Sequence, residues 1–300
     1  MASAKELAQR AGRSADTREL SPDELLHLQQ VLLDCFSDVQ AMCERHHLRI
    51  MLGGGSCLGA VRHRGFIPWD DDLDALMPRE DFEIFKEKFN EELGDAYTLD
   101  APNFSDAPSN RFAKVLINGT KFVEMGGDPA DPLCKIKIDI FVIENVPAGK
   151  FSRTLKGLSC QALMLIASAV QTFETDRKNG RKPASDDEEW LRFYRRRVRI
   201  GRLFSARSSR CWLDRVDAAC QYKKAGDLLG IPTGRGHYFG EILPTKAFLP
   251  PVRGEFAGRT VYLPCDANAY LSNLYGDYMV IPPPEKREKH YITAIDFGEK

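Results

Sequence analysis

The sequence predicts an α+β fold in which a mixed β-sheet is flanked by helices and carries a mostly helical insertion. Apolar residues alternate in several short runs before residue 145, as in β-strands, and recur at helical spacing between those runs. The pattern is helical from about 150 to 230, and short strands return after 230. We expect four segments, namely a flexible N-terminus (1–20), a core with the sheet (21–150), an arginine-rich helical insertion (151–230) and a C-terminal segment (231–300).

The first helix is the clearest local prediction. Ser21-Pro22-Asp23-Glu24 is a capping box with proline at the first helical position, and apolar residues then recur at helical spacing to about His47. A short strand, Leu48–Leu52, runs into a glycine turn. Residues 57–68 indicate a glycine-punctuated connection to an acidic strand at 70–77, and a further helix follows that strand.

More strands are expected before residue 145. In the last of them, three isoleucines alternate with polar residues, so that one face is apolar and the other polar. These strands are predicted at Tyr97–Leu99, Phe112–Ile117, Lys121–Glu124 and Lys135–Ile143.

Composition excludes several classes of protein. The chain has 300 residues with 42 Lys and Arg against 43 Asp and Glu, and this balance gives no reason to expect nucleic acid as a partner. The eight cysteines form no C-x-x-C pair, so we expect neither a zinc site nor disulfides, and a cytoplasmic location. The N-terminus lacks the apolar region of a secretory signal. The weakly charged run 157–173 is short for a transmembrane helix and indicates either a buried helix or a membrane-surface helix.

A glycine turn follows the first predicted strand. Gly54, Gly55 and Ser56 form a backbone that can approach a phosphate closely and donate N–H groups to it. Most turns of this composition are only turns, so the assignment depends on the acidic residues that follow.

Three aspartates define the acidic strand. In a β-strand Asp70, Asp72 and Asp74 share one face, while Leu73 and Ala75 point into the core. Carboxylates gathered on one face repel each other, and a divalent cation offsets that repulsion. A solvated acidic turn is the alternative, but apolar residues bracket the run and favour a strand. The sequence therefore predicts a site for Mg²⁺ or Mn²⁺, whose ligands are carboxylate and phosphate oxygens.

Asp139 is the expected further ligand and completes the candidate catalytic set with Asp72 and Asp74. It is an acidic residue on the polar face of an otherwise apolar strand, and an ion pair with Lys135 or Lys137 is the alternative. A Gly-Ser turn, an Asp-x-Asp strand and a later strand aspartate are the parts of a nucleotidyltransferase-type site. In such sites metal ions neutralise a diphosphate during in-line displacement.

The segment LGGGSCLGAVRHRGFIPWDDDLDALMPREDFEIF resembles the signature of the LicD family, the phosphocholine-transferase and fukutin-related group. KIKIDIFVIE and YLSNLYGDYMVIPPPEKREKH are similar to further family segments. The resemblance is dense over 48–90, returns at 112–145 and 262–290, and is weak over 150–235.

The resemblance implies a nucleotidyltransferase-like catalytic core at 21–150, with the C-terminal segment completing the site. It implies a phosphotransferase that uses a CDP-alcohol donor, CDP-choline being favoured, and releases CMP. The acceptor would be a hydroxyl of a cell-surface glycan or glycolipid, as in lipopolysaccharide, teichoic acid or capsule synthesis. Ribitol or glycerol phosphate is the alternative transferred group. The Tyr-Gly-Asp-Tyr segment at 275–278 is implied to close over the site.

Several cations are candidates for binding the donor phosphates. Arg62, His63 and Arg64 lie between the glycine turn and the acidic strand, and Lys114 and Arg111 lie on or beside another strand. A solvated loop is the alternative for the first three.

The stretch 190–215 contains nine arginines against one acid, Asp214. A solvated helix face explains this charge. The alternative is contact with an anionic acceptor or an anionic membrane, which would place the protein peripherally at the inner face of the membrane.

Two other functions are compatible with parts of the pattern. True nucleotidyl transfer would use the same metal site and release pyrophosphate instead of CMP. A non-catalytic nucleotide-binding module would have lost acidic ligands, whereas this chain retains all four candidates, Asp70, Asp72, Asp74 and Asp139.

Overall fold

The computed structural model describes residues 17–125, 127–178, 187–287 and 291–298. Most of the predicted flexible N-terminus, up to residue 16, lies outside these ranges. Within them, no helix combines the length and the apolar character needed to cross a bilayer.

A mixed β-sheet forms the centre of the fold. Its strands and those of two small sheets are β1 Met51–Leu52, β2 Asp74–Pro78, β3 Tyr97–Asp100, β4 Ala113–Ile117, β5 Lys121–Glu124, β6 Lys137–Asn145, β7 Leu228–Gly230, β8 Ile242–Pro244, β9 Val252–Phe256, β10 Arg259–Leu263 and β11 Ile292–Asp296. The central order is β1-β2-β6-β4-β3, with β7 and β8 continuing from β6. β2 and β6 are parallel, and the other neighbours in this sheet are antiparallel. β9 pairs with β10, and β5 with β11.

Helices flank the central sheet and form the insertion. They are α1 Pro22–Arg45, α2 Gly54–His63, α3 Arg79–Leu93, α4 Lys150–Lys178, α5 Glu188–Phe204, α6 Ser209–Cys220, α7 His237–Gly240, α8 Thr245–Phe248 and α9 Ala267–Tyr275. The α+β class, the mixed sheet and the helical character of the insertion are confirmed. The division of the chain into four segments stays a prediction.

The predicted start of α1 is confirmed in detail. The Glu24 backbone N–H donates to Ser21 Oγ at 3.2 Å, and the Ser21 N–H donates to a Glu24 carboxylate oxygen at 2.9 Å. Both bonds satisfy N–H groups that a helix end otherwise leaves without partners. The buried face of α1, which includes Leu28, Leu32 and Phe36, packs into the main apolar core with the sheet.

Two local predictions between residues 53 and 74 are wrong. The supposed connection at 57–68 begins inside α2, because the glycines serve close packing here and do not break the helix. A Cβ on Gly59 would lie 2.4 Å from the carbonyl oxygen of Gly65. The acidic strand begins at Asp74 and not at Asp70, so the three aspartates do not share one regular strand face.

The insertion has a core of its own. Cys160 and Met164 of α4 pack there with Trp212 and Val216 of α6. The run 157–173 is neither fully buried nor wholly exposed: α4 buries one side, while Leu158 on the other side is 56% exposed.

Candidate active site

Two parallel strands place two aspartates side by side. Asp74 at the start of β2 is the register partner of Asp139 in β6, and Asp139 is in turn the partner of Lys114 in β4. Directly paired residues on neighbouring strands project to the same face of a sheet. The strand pairing therefore brings together three of the predicted site residues, which are separated by up to 65 positions in the sequence.

The segment before β2 adds more carboxylates. Asp70, Asp71 and Asp72 each offer an oxygen within 4.8 Å of the others, close enough to share a cation. A cavity of about 100 Å³ opens beside them and is lined by Asp71, Asp72 and Asp139. Carboxylate oxygens are the ligands of hard cations such as Mg²⁺, so the donor set fits the predicted metal.

The electrostatics of Asp74 show what this arrangement costs. Desolvation raises the pKa of Asp74 well above its ordinary value, and the charges of Asp72, Asp139 and Asp70 raise it further. A hydrogen bond from the Gly55 backbone N–H opposes the shift but does not cancel it. Like charges held this close favour protonation of one group or the binding of a cation.

Glycines allow the carboxylates to approach the start of α2. A Cβ on Gly54 would lie 2.3 Å from Asp74 Oδ2, and a Cβ on Gly55 would lie 2.9 Å from Asp70 Oδ2. Gly54 also has a positive φ of 43°, which disfavours any residue with a side chain. Glycine at these two positions makes room for the acidic cluster.

The hydrogen bonds of the turn differ from a free phosphate cradle. The Gly54 N–H donates to the Tyr270 hydroxyl at 3.0 Å, and the Gly55 N–H bonds Asp74. Ser56 is buried, and its Oγ accepts the Asp74 N–H at 2.9 Å. These groups therefore fix the acidic cluster in this structure, and the assignment of Gly54, Gly55 and Ser56 to phosphate binding stays a prediction.

The cations at the end of α2 have different surroundings. Burial lowers the pKa of Arg62, and the charge of nearby Asp70 acts in the opposite direction. Arg62 also donates a hydrogen bond to the Tyr278 carbonyl oxygen at 2.6 Å. Burial and the charge of Arg62 lower the pKa of His63. Arg64 is exposed and ends α2 in a left-handed conformation, with its carbonyl oxygen accepting the Ala257 N–H at 2.7 Å.

Lys114 and Arg111 are directed differently. Lys114 projects beside Asp139, with its Nζ 5.7 Å from the centre of the Phe112 ring. Arg111 donates from Nε to the Thr233 carbonyl oxygen at 3.3 Å, and burial lowers its pKa. Lys114 is thus the better placed of the two for a ligand bound at the acidic cluster.

The predicted alternatives for Asp139 can be compared with the contacts of the two lysines. Lys135 donates to Asn118 Oδ1 at 2.8 Å, and Lys137 lies 2.7 Å from Glu124. Burial lowers the pKa of Lys137, but Glu124, Asp139 and Asp72 outweigh this, and the net shift is upward. Lys137 therefore balances part of the acidic charge at the cavity and pairs most directly with Glu124.

Sequence reasoning left Asp71 out of the candidate site and named Tyr275 only as part of a segment implied to close over it. A regular strand would place Asp71 on the opposite face, and only the irregular backbone before β2 brings it into the cluster. Desolvation raises the pKa of Tyr275, and the charges of Asp74, Asp70 and Asp72 add to the shift, which places this side chain beside the acidic residues. Its position in the Tyr-Gly-Asp-Tyr segment was the available signal.

The C-terminal segment contacts the site from outside. The Arg287 guanidinium lies 4.0 Å from the centre of the Trp69 ring, immediately before the aspartates in the chain. With the bonds of Tyr270 to Gly54 and of Arg62 to Tyr278, this contact joins residues 54–69 to residues 270–287 next to the acidic cluster.

Comparison with known proteins gives consistent matches. Residues 47–126 match the family model described as LicD/FKTN/FKRP, nucleotidyltransferase domain. The chain is 26% identical over 270 residues to the lipopolysaccharide cholinephosphotransferase LicD of Haemophilus influenzae, covering 88% of this chain and 94% of that protein. A shorter match, 38% identical over 50 residues, covers 17% of this chain and 19% of an uncharacterized protein of Rickettsia prowazekii. The family match includes the glycine turn, the aspartates at 70–74 and Lys114, and it ends before Asp139.

Proposed function

The chain belongs to the LicD family, and from this premise we propose that it transfers a phospho-alcohol from a CDP-alcohol donor to a glycan hydroxyl. Phosphocholine is the favoured group, because the relative that matches nearly the whole chain is named a lipopolysaccharide cholinephosphotransferase. The acceptor would then be a glycan or glycolipid of the cell surface. Ribitol or glycerol phosphate remains the alternative group.

The convergence of Asp74 and Asp139 with Asp70–Asp72 is the observation that carries the proposal. Five carboxylates come from two neighbouring strands and the segment before them, and three of the five, those of Asp71, Asp72 and Asp139, line one cavity. The fold alone gains nothing from such a cluster, since it concentrates negative charge. A site built to hold Mg²⁺ or Mn²⁺ against a diphosphate explains it. Such a cation, when bound, neutralises phosphate charge.

The residues divide into two roles in this proposal. The cation is held by Asp72, Asp74 and Asp139, together with Asp70 and Asp71. Positive charge for the phosphates comes from Lys114 and Arg62. The acceptor hydroxyl oxygen forms a bond to the phosphorus that bears the alcohol. The bond between that phosphorus and the bridging oxygen breaks, CMP leaves with the electron pair, and one proton is released.

Product analysis tests the proposal. The protein would be incubated with a panel of CDP-alcohols, Mg²⁺ and a glycan acceptor, with the D74N variant as control. We expect CMP to form with one preferred donor and only with the wild-type protein. Pyrophosphate release from a nucleoside triphosphate, without CMP from any donor, would instead establish nucleotidyl transfer.

We further propose that the arginine-rich face of α5 meets an anionic acceptor or membrane surface. Five arginines of α5, at positions 192, 195, 196, 199 and 202, are exposed, and no acidic residue occurs between 190 and 213. Salt screens such attraction over about 10 Å at 0.1 M ionic strength. Peripheral contact at the inner face of the membrane would bring the site near a lipid-linked acceptor.

A further inference from the structure

The first half of α4 carries an exposed row of apolar residues. Phe151 is 83% exposed, Leu155 60%, Leu158 56% and Leu165 52%, and Ala162 is also exposed. These positions follow each other at spacings of four, three, four and three residues. That is the repeat by which one helix packs along another, and the row spans about 21 Å at 1.5 Å per residue.

The second half of the same row is already covered by α5. A Cβ on Gly201 would lie 2.1 Å from the Ala169 carbonyl oxygen, and Tyr194 donates to Asp176 at 3.2 Å. The two helices therefore run antiparallel in close contact. By the same spacing, the end of α5 at Phe204 lies level with about residue 166. The helix α5 therefore ends where the exposed part of the row begins.

The residues beside the exposed row carry no charge. They are Ser152, Thr154, Ser159 and Gln161. A helix that lies on an anionic membrane usually has lysine or arginine along these margins. Lys156, the cation in the middle of this part of α4, turns away and donates to the carbonyl oxygens of Ala219 and Gln221 at 2.6 and 2.8 Å.

We propose that this row binds the same row of a second copy of the chain, with the two α4 helices antiparallel about a two-fold axis. Phe151 of one copy then lies opposite Ala162 of the other, and Leu155 opposite Leu158, so that large residues meet small ones at the ends of the contact. The neutral margins bring no like charges together. In this arrangement the start of each α4 lies next to the end of α5 in the other copy. The contact uses the same surface on both copies, so it forms a closed dimer. The proposal is independent of the proposed function.

Charge-paired variants test both the dimer and its register. Wild-type protein should show twice the monomer mass in sedimentation velocity at micromolar concentration. L155K and L158E should each halve that mass, because a charge then faces leucine. An equimolar mixture of the two variants should restore the dimer, since the ammonium introduced by L155K in one copy would face the carboxylate introduced by L158E in the other.

The matched control is L26K, which places the same charge on an exposed leucine of α1 that is 66% exposed. It should leave the mass unchanged, and far-ultraviolet circular dichroism should show that every variant is folded. A wild-type protein that stays monomeric would overturn the proposal, as would variants that keep the dimer. Loss of binding to anionic vesicles by both variants, with no change of mass, would assign the row to a membrane instead.

Discussion

Two clusters of ionisable side chains lie on or beside the sheet, and they differ in how their charges are balanced. At the joint between core and insertion, Arg79 of α3 lies between Glu144 of β6 and Asp217 of α6. Arg79 Nη2 is 2.6 Å from Asp217 Oδ1, and its Nε donates to Glu144 at 2.8 Å. Every charge in this cluster has an opposite charge in contact, as buried ions require for stability.

The acidic cluster at 70–74 and 139 carries an excess of negative charge, which Lys137 balances only in part. Asp74 and Asp139 are direct register partners, and the aspartates before β2 add to their charge. The first cluster is explained by folding alone, because it joins two parts of the chain. The second opposes folding, and the proposed cation site gives it a reason. The comparison favours crowding of like charges, more than charge itself, as the sign of a candidate functional site.

Asparagine at either central aspartate should give the largest effect and separate the two clusters. D72N or D74N should abolish CMP release, because each removes a proposed cation ligand. D74N should also raise the melting temperature of the metal-free protein, since it removes repulsion and desolvated charge. Turnover within about threefold of wild type in either variant would contradict the assignment. D23N, at an exposed position on α1, serves as the control.

Asp139 should behave like a member of the acidic cluster. D139A should lower turnover by orders of magnitude and shift the Mg²⁺ dependence to higher concentration. If Asp139 instead acts only as a partner of Lys137, the rate should hardly change and stability should fall by about 0–1 kcal/mol. A metal titration of the variant, followed by CMP release, distinguishes these results.

Removing the cation of the balanced cluster should lower stability and leave the Mg²⁺ dependence unchanged, which is the reverse of the effects expected in the acidic cluster. R79M leaves Glu144 and Asp217 buried without their partner and should cost about 3–5 kcal/mol of unfolding free energy. Urea unfolding measures this loss. The Mg²⁺ concentration for half-maximal activity should stay as in wild type wherever the variant is folded, and a shifted value would mean that the two clusters are linked.

Substitution of Gly54 should be harmful for two reasons, and the same substitution at a second glycine separates them. G54A forces a side chain into a positive φ and places its Cβ 2.3 Å from Asp74 Oδ2. Gly119 has a φ of 79° with nothing within 4 Å of an added Cβ, so G119A carries the backbone strain alone. We expect a loss of about 1 kcal/mol for G119A, a larger loss for G54A, and lost turnover only in G54A. Equal stability and activity in the two variants would remove the proposed role of Gly54.

The arginines of α5 should give the smallest effect on the purified enzyme. The double variant R195E and R196E should weaken sedimentation with anionic vesicles at low salt. It should leave stability and CMP release in solution unchanged, because these side chains are solvated. The control pair K246E and R253E reverses two exposed charges elsewhere. If the wild-type protein does not bind the vesicles at low salt, the arginine-rich face of α5 is an ordinary solvated helix face.

The sequence was most informative where local physics decides the structure. Ser21 and Glu24 determine the start of α1 by bonds within one turn, and the alternation around Asp139 correctly placed it on a polar strand face. The helix at Gly54–His63 was missed, because glycine is a poor helix former and its value here lies in close contacts with distant residues.

Long-range pairing was beyond prediction from one sequence. The sequence assigned Asp139 to the same candidate site as Asp74, but nothing near Asp74 indicates that the two are direct strand partners, or that Tyr270 bonds Gly54 across 216 positions. Asp71 was missed for a different reason, since a regular strand was assumed where the backbone is irregular. The residue types of the candidate site were therefore predictable, while their arrangement depends on the sheet.

Three contacts made by residues 270–287 have a consequence for synthesis of the protein. Tyr270 bonds Gly54, the Tyr278 carbonyl oxygen accepts from Arg62, and Arg287 lies over the Trp69 ring. The ribosome completes the aspartate-bearing segment about 200 residues before it completes these partners, which corresponds to roughly 10–40 s at 5–20 residues per second. During that interval the glycine turn lacks the hydroxyl that holds it, and the acidic residues lack their outer cover. The nascent chain therefore acquires these contacts only once residues 270–287 have been synthesised, and a chain that stops before residue 270 never does.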